Sequence, residues 1–109
     1  MTFNEYQLKT RETAVYPDQG RDFVYPALGL AGEAGEVVDK VKKLWRDKDK
    51  QLDEGDRQEI AKEMGDVLWY LAQLATELDL ELDSVSQLNI EKIASRQARG
   101  VIKGSGDSR

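Results

Sequence analysis

The sequence predicts an all-α fold built from four helices. Apolar residues recur at steps of three and four along several segments, and no segment shows the sustained period-two alternation of a half-buried strand. Only two prolines interrupt the chain. A length of 109 residues, 39% of them hydrophobic and 34% charged, is typical of one folded domain, here residues 1–109.

The first two helices are bounded by caps and prolines. The first is expected from about Thr2 to Tyr16, with Thr2 or Asn4 as its cap, and it stops before Pro17 because the residue that precedes a proline avoids helical geometry. The second is expected from about Pro26 to Lys48, since proline is favoured in a first helical turn.

A polar loop, residues 47–56, separates the second helix from the third. Asp56 and Glu59, three residues apart, resemble a capping box, in which each side chain accepts a hydrogen bond from the main chain of the other residue. The third helix is therefore expected to cover about residues 57–78.

The fourth helix is expected to be capped by Asp83 or Ser84 and to end near Gly100. Residues 103–109 form a tail that we expect to be flexible unless a ligand or a neighbouring subunit orders it. Residues 85–109 carry five basic and two acidic side chains, a net +3, in a chain whose total is −5. An acidic body with a basic end argues against general binding of nucleic acid.

The second and third helices share a pattern at an offset of 30 residues. Leu30-Ala-Gly-Glu-Ala-Gly-Glu-Val37 aligns with Ile60-Ala-Lys-Glu-Met-Gly-Asp-Val67. The apolar matches continue as Val38 with Leu68, Val41 with Leu71, and Leu44 with Leu74. Each helix thus carries one apolar stripe, which is expected to face a core.

Two pairs of acidic residues lie at the same phase of this repeat. They are Glu33 with Glu36 and Glu63 with Asp66. If the two stripes pack antiparallel, both pairs line one groove, and a divalent cation relieves the repulsion among four carboxylates. A chain without cysteine or histidine cannot build an ordinary zinc, iron–sulfur or haem site, so oxygen ligands favour Mg²⁺ or Mn²⁺.

A glycine stands inside each acidic pair, at Gly35 and at Gly65. Glycine within a helix costs about 1 kcal/mol relative to alanine, so its presence suggests a close backbone approach or room for a ligand. The alternative is that these acids are ordinary solvated residues of two amphipathic helices.

The fourth helix carries a basic face. Lys92, Arg96 and Arg99 are spaced four and three residues apart, and Asn89 leans toward the same side. Surface carboxylates or a polyphosphate are possible partners, and beside a metal site the polyphosphate is favoured, because arginine presents forked donors.

These residues resemble the MazG-like family of all-α nucleotide pyrophosphohydrolases. The family pattern of Glu-x-x-Glu followed by Glu-x-x-Asp is present as Glu33-Ala-Gly-Glu36 and, after 26 intervening residues, Glu63-Met-Gly-Asp66. The segment from Asn89 to Ile93, Arg96, Arg99-Gly100 and the tail Gly104-Ser-Gly-Asp107 are similar to its small single-domain members. The likeness extends over nearly the whole chain.

The resemblance implies a four-helix bundle completed by homo-oligomerisation, as a homodimer or homotetramer with sites shared between subunits. It implies Mg²⁺, with Mn²⁺ able to substitute, on the four acids, and hydrolysis of (deoxy)nucleoside triphosphates to a monophosphate and pyrophosphate. One of the acids, with Glu36 as a candidate, would orient the attacking water. The implied substrate contacts are Lys92 and Arg96 for phosphates, Asn89 for metal or phosphate, and Tyr70 for base or sugar.

Some alternatives stay open. Trp45 and Trp69 could also meet the nucleoside, although core packing is favoured for Trp69. A helical nucleotide-binding or protein-interaction module without catalysis is the rival to the enzyme. No secretory signal, membrane span or cysteine is visible, so a cytoplasmic protein without membrane partners is expected.

Overall fold

The computed structural model describes all 109 residues as four helices, with no strand. The helices are α1 (Phe3–Arg11), α2 (Val24–Lys48), α3 (Glu54–Glu77) and α4 (Leu82–Arg99). The two long helices α2 and α3 form an antiparallel hairpin, α1 packs on α3, and α4 packs on α1. The predicted all-α class and number of helices are confirmed. None of the helices is both long and apolar enough to cross a membrane.

Helix α1 is shorter than expected. Thr2 is its cap, as one of the two predicted, with Oγ1 accepting a hydrogen bond from the Glu5 N–H at 3.0 Å. The helix ends at Arg11 and not at Tyr16. A tertiary contact explains this early end. The segment after Arg11 turns so that Tyr16 reaches α3, where its hydroxyl donates a hydrogen bond to Glu77.

Buried polar side chains join α1 to α3. Gln73 is fully buried, and its Nε2 donates to Thr10 Oγ1 at 2.7 Å. Arg11 donates to Gln73 Oε1 at 3.1 Å and to Glu77 Oε2 at 3.1 Å. Because buried polar groups are costly unless they are paired, these bonds fix one relative placement of the two helices.

The turn between α2 and α3 differs from the prediction. Helix α2 ends at Lys48 as expected, and the next two residues, Asp49 and Lys50, adopt left-handed geometry. The predicted capping box of Asp56 with Glu59 is wrong, because the box lies three residues earlier in the chain. Asp53 is the cap and forms the box with Asp56, so α3 begins at Glu54. Lys48 Nζ contacts both of these carboxylates, which favours the earlier start.

Helix α4 is capped by another helix. Neither Asp83 nor Ser84 caps it, contrary to the prediction, and it begins at Leu82. The Leu82 N–H donates to Gln7 Oε1 at 2.8 Å, and the Asp83 N–H donates to Asn4 Oδ1 at 3.0 Å. These caps from α1 direct α4 along α1 and not along α2 or α3.

The tail folds back on α4 through its own contacts. Gly100 ends the helix in left-handed geometry, as predicted. The Arg109 guanidinium donates to the carbonyl oxygens of Val101, Ile102 and Gly106 at 3.0, 2.9 and 2.6 Å. These bonds close the tail into a turn within the chain, and the flexibility expected for residues 103–109 stays a prediction.

The single chain is open. Only 9 of its 109 residues are buried, and its radius of gyration is 16.7 Å, whereas about 13 Å is typical of a compact domain of this size. In the apolar stripe of α2, Val38 is 65% exposed and Val41 is also exposed. Leu30, Val37 and Leu44 of the same stripe are half-buried, so within one chain α3 covers only part of the apolar stripe of α2.

Candidate metal and nucleotide site

Three of the four predicted acids lie together. Glu33 comes from α2, and Glu63 and Asp66 come from α3 at the same level of the hairpin. One carboxylate oxygen from each lies within 4.8 Å of the others. We call these three residues the acidic group. Glu36 lies outside the acidic group, one helical turn from Glu33, so the hairpin alone assembles three of the four predicted ligands.

The carboxylates of the acidic group repel one another, and this repulsion affects the pKa of Glu33. Partial burial, together with the charges of Asp66, Glu63 and Glu36, raises the pKa of Glu33 above its ordinary 4.5. Like charges raise a carboxyl pKa because ionising one disfavours ionising the next, and a bound cation would reverse this effect. With only oxygen donors, the residues fit a hard divalent cation such as Mg²⁺ or Mn²⁺.

Lys40 is a neighbour of the acidic group that the sequence reasoning missed. Its Nζ lies 3.7 Å from Glu63 Oε1 and 3.6 Å from Glu59 Oε2. Lys40 follows Glu36 by four residues and Glu33 by seven, so helical spacing places it on their face of α2. That spacing was a signal in the sequence that could have identified it.

Tyr70 closes one end of the acidic group. It lies one turn after Asp66 on α3, and its ring packs on α2 at Gly29. Its pKa is raised by burial first, then by the Tyr25 hydroxyl, and then by the charges of Glu33 and Asp66. The predicted substrate contact Tyr70 is thus close to the acids, and Tyr25, which the sequence reasoning missed, stands beside it.

The two tryptophans differ in their surroundings. Trp69 is half-buried, packs edge-on against Tyr16 and Tyr70, and donates from Nε1 to Thr13 Oγ1 at 3.1 Å. These contacts agree with the packing role favoured for it. Trp45 lies near the far end of α2 and is exposed.

The glycines inside the acidic pairs have open space around them. A β-carbon built on Gly35 or on Gly65 would meet no atom within 4 Å. No part of the chain therefore approaches Gly35 or Gly65 closely, whereas the Tyr70 ring packs closely against the backbone of α2 at Gly29. The open space beside Gly35 and Gly65 leaves room for a ligand or for another chain.

The basic face of α4 is not joined to the acidic group within one chain. Lys92 Nζ lies 3.3 Å from Asp107 Oδ1, and Arg96 Nη2 donates to the same oxygen at 3.1 Å. Arg96 is only 4% exposed, and its Nε has no partner. Asn89 is exposed and lines a groove with Lys92 and Asp107 that contains none of the four acids. Asp107 belongs to the tail segment that resembles the family, but its contacts with Lys92 and Arg96 were not predicted, because they depend on the fold of the tail.

An apolar groove runs along the α2–α3 hairpin beside the acids. Its volume is about 630 Å³, and seven of its eight lining residues are hydrophobic by side chain. They include Val37, Met64, Leu68 and Leu71. Val38 and Val41 of α2 are exposed as well as Met64, and a cluster of exposed apolar side chains on one face favours an interaction surface.

Known proteins resemble this chain in sequence. Residues 26–101 match the model of the MazG nucleotide pyrophosphohydrolase domain, and this range contains the acidic group, Glu36, Tyr70 and the basic face of α4. The chain is similar to the Gene 37 protein of Mycobacterium phage L5, with 48% identity across 95% of this chain and 96% of the phage protein. No solved structure matches it significantly. The chain belongs to the family of the MazG nucleotide pyrophosphohydrolase domain.

Proposed function

We propose that this protein hydrolyses (deoxy)nucleoside triphosphates between the α- and β-phosphates, in the presence of Mg²⁺, to a nucleoside monophosphate and pyrophosphate. The observation that carries the proposal is the acidic group, in which carboxylate oxygens from two helices lie within 4.8 Å of one another. Such crowding favours a cation in the group. Membership in the family supports a pyrophosphohydrolase reaction in general.

The four acids have distinct roles in this proposal. Glu33, Glu63 and Asp66 would hold the metal, and Glu36, one turn from Glu33, would complete the ligand set when metal and substrate are bound. A divalent cation there supplies neutralisation of phosphate charge and a lowered pKa for water. Glu36 also remains our candidate for orienting the attacking water, because it lies beside the acidic group without belonging to it.

Cations of the chain would balance the charge of the substrate. Lys40 is already beside Glu63, so it can shift from that carboxylate to a phosphate oxygen. We propose Lys92 and Arg96 as phosphate contacts and Asn89 as a metal or phosphate contact. Their separation from the acids within one chain means that a neighbouring subunit would supply them.

A homodimer or homotetramer would meet that need. The apolar groove of the hairpin and the few buried residues of the single chain both favour an assembly that covers the hairpin. We place the substrate site at the edge of that assembly, where the acidic group of one subunit would meet α4 of another.

The test is product identification with a panel of ribonucleoside and deoxyribonucleoside triphosphates. We expect equal amounts of monophosphate and pyrophosphate with Mg²⁺ or Mn²⁺, and no turnover with excess chelator. A diphosphate with inorganic phosphate would overturn the proposed bond cleavage. Tight nucleotide binding without any turnover would favour the rival, a non-catalytic nucleotide-binding module of the same fold.

A further inference from the structure

Glu77 is the last residue of α3, and its carboxylate holds the segment between α1 and α2 in place through hydrogen bonds. Its side chain is only 3% exposed. The carboxylate accepts hydrogen bonds from the Arg11 guanidinium and the Tyr16 hydroxyl, and from the Gly20 N–H at 3.0 Å to each oxygen. These three donors come from the end of α1 and from both sides of the turn at residues 17–20. We call this arrangement the Glu77 latch.

The Glu77 latch positions an aromatic row. Tyr16, whose hydroxyl is held by Glu77, is buried and stacks on Tyr25, with ring centroids 5.6 Å apart and an interplanar angle of 4°. Tyr25 in turn lies against Tyr70, with centroids 6.4 Å apart and planes tilted by 46°. The row therefore leads from the Glu77 latch to the tyrosine that closes the end of the acidic group.

Tyr25 is the exposed member of this row. It remains 42% exposed although Tyr16 covers one face of its ring. Offset-stacked aromatic pairs hold ring orientation, so Tyr25 presents a fixed and not a mobile ring to solvent. A fixed, exposed aromatic face beside a site for phosphate is suited to a planar heterocycle.

We propose that the exposed face of Tyr25 stacks on the nucleobase of the substrate, and that Glu77 is a positioning residue that orients Tyr25 through Tyr16. This inference rests on the proposed function, because it assigns the nucleoside end of the same site. The phosphates would lie toward the acidic group and the base toward the aromatic row. Because every base has a π-face, stacking on Tyr25 by itself predicts binding of several bases and not of one.

The experiment separates the two ends of the substrate by using two ligands. One is a nucleoside triphosphate with a non-hydrolysable α,β-methylene bridge, and the other is inorganic tripolyphosphate, which has no base. Both are titrated calorimetrically into the full chain with Mn²⁺, for wild type, Tyr25→Leu and Tyr25→Phe. We expect Tyr25→Leu to weaken nucleotide binding by about tenfold and to leave tripolyphosphate binding unchanged. Tyr25→Phe keeps the ring, so it should bind both ligands as wild type does.

Glu77→Gln tests the positioning role. We expect KM for the nucleotide to rise several-fold with little change in kcat, and tripolyphosphate binding to stay unchanged, because the ring is misplaced while the acids are intact. Equal losses for both ligands in Tyr25→Leu, or no loss for the nucleotide, would overturn the inference. Failure of the proposed function looks different, since wild type would then bind the nucleotide more tightly than tripolyphosphate and still hydrolyse no triphosphate.

Discussion

The Tyr70 ring occupies the place where a side chain on Gly29 would begin. An ideal β-carbon on Gly29 would lie 2.3 Å from Tyr70 Cε1, a distance that no real pair of carbon atoms tolerates. Gly29 precedes Glu33 by one turn of α2, and Tyr70 follows Asp66 by one turn of α3. The close packing of these two residues therefore sets the spacing of the helices where the acidic group forms.

Gly29→Ala should destabilise the protein and lower its activity. Forcing a methyl group against Tyr70 costs about 1–3 kcal/mol, which exceeds the gain of about 1 kcal/mol in helix propensity. Gly32→Ala is the matched control, because a β-carbon there meets nothing within 4 Å and the propensity gain should raise the melting temperature. Thermal unfolding of both variants checks this. A Gly29→Ala protein as stable as Gly32→Ala would contradict the close packing.

The Glu77 latch predicts a defined pH dependence of stability. Burial alone would raise the pKa of Glu77, but the hydrogen bonds from Tyr16, the Gly20 N–H and Arg11 outweigh it and lower the pKa below its ordinary 4.5. A carboxyl group with a lowered folded-state pKa stabilises the protein above its unfolded-state pKa, and this contribution is lost as pH falls through the folded-state value.

Glu77→Gln should therefore be less stable than wild type at pH 7, by about 1–3 kcal/mol, and the difference should shrink as the pH falls below about 4. Urea unfolding between pH 3 and pH 7 measures it. Glu12→Gln is a control, since Glu12 is exposed. If the difference in unfolding free energy between wild type and Glu77→Gln stays constant over this range, the charge of Glu77 does not stabilise the folded protein.

The sequence predicted the elements whose signals are local. The apolar periodicity of α2 and α3 and the phase of their acids follow from helical geometry, so the hairpin and the convergence of Glu33, Glu63 and Asp66 were predictable. Lys40 follows from the same geometry and could have been predicted with them.

The features that were missed depend on contacts between distant residues. The caps of α4 come from Gln7 and Asn4, which lie 75 and 79 residues before the backbone groups that they accept from. The early end of α1 depends on the hydrogen bond from the Tyr16 hydroxyl to Glu77, which lies 61 positions later in the chain. Such bonds leave no periodic pattern, because each joins two positions whose separation in sequence is arbitrary.

Lys92→Ala should separate substrate binding from metal binding. A charge-assisted hydrogen bond to phosphate is worth about 1.5–3 kcal/mol, so we expect KM for the nucleotide to rise about tenfold or more. Mn²⁺ affinity should not change, because Lys92 contacts Asp107 and none of the four acids. Steady-state kinetics and Mn²⁺ titration check this, with Lys62→Ala as the control for the loss of a surface lysine. The same KM for Lys92→Ala and Lys62→Ala would exclude Lys92 as a phosphate contact.

Met64→Asp should weaken self-association. Met64 is exposed in the apolar groove of the hairpin, so burying a carboxylate there against another subunit is costly. Light scattering at micromolar concentration should report a dimer or tetramer for wild type and a smaller species for Met64→Asp. Val15→Asp, which alters an exposed residue outside the groove, should assemble as wild type does. A fully active wild-type monomer would refute the shared site.

Titration of Mn²⁺ into Asp66→Asn tests whether the acidic group holds the catalytic metal. Asparagine keeps the size and one oxygen but removes a full negative charge from a hard-cation site, so we expect Mn²⁺ affinity to fall by on the order of tenfold or more and turnover to be nearly abolished. Metal-free stability should be unchanged or higher, because fewer carboxylates repel one another. Glu54→Gln, which removes an exposed carboxylate from the first turn of α3, should bind Mn²⁺ as wild type does. Unchanged Mn²⁺ affinity and turnover in Asp66→Asn would show that the acidic group does not hold the catalytic metal.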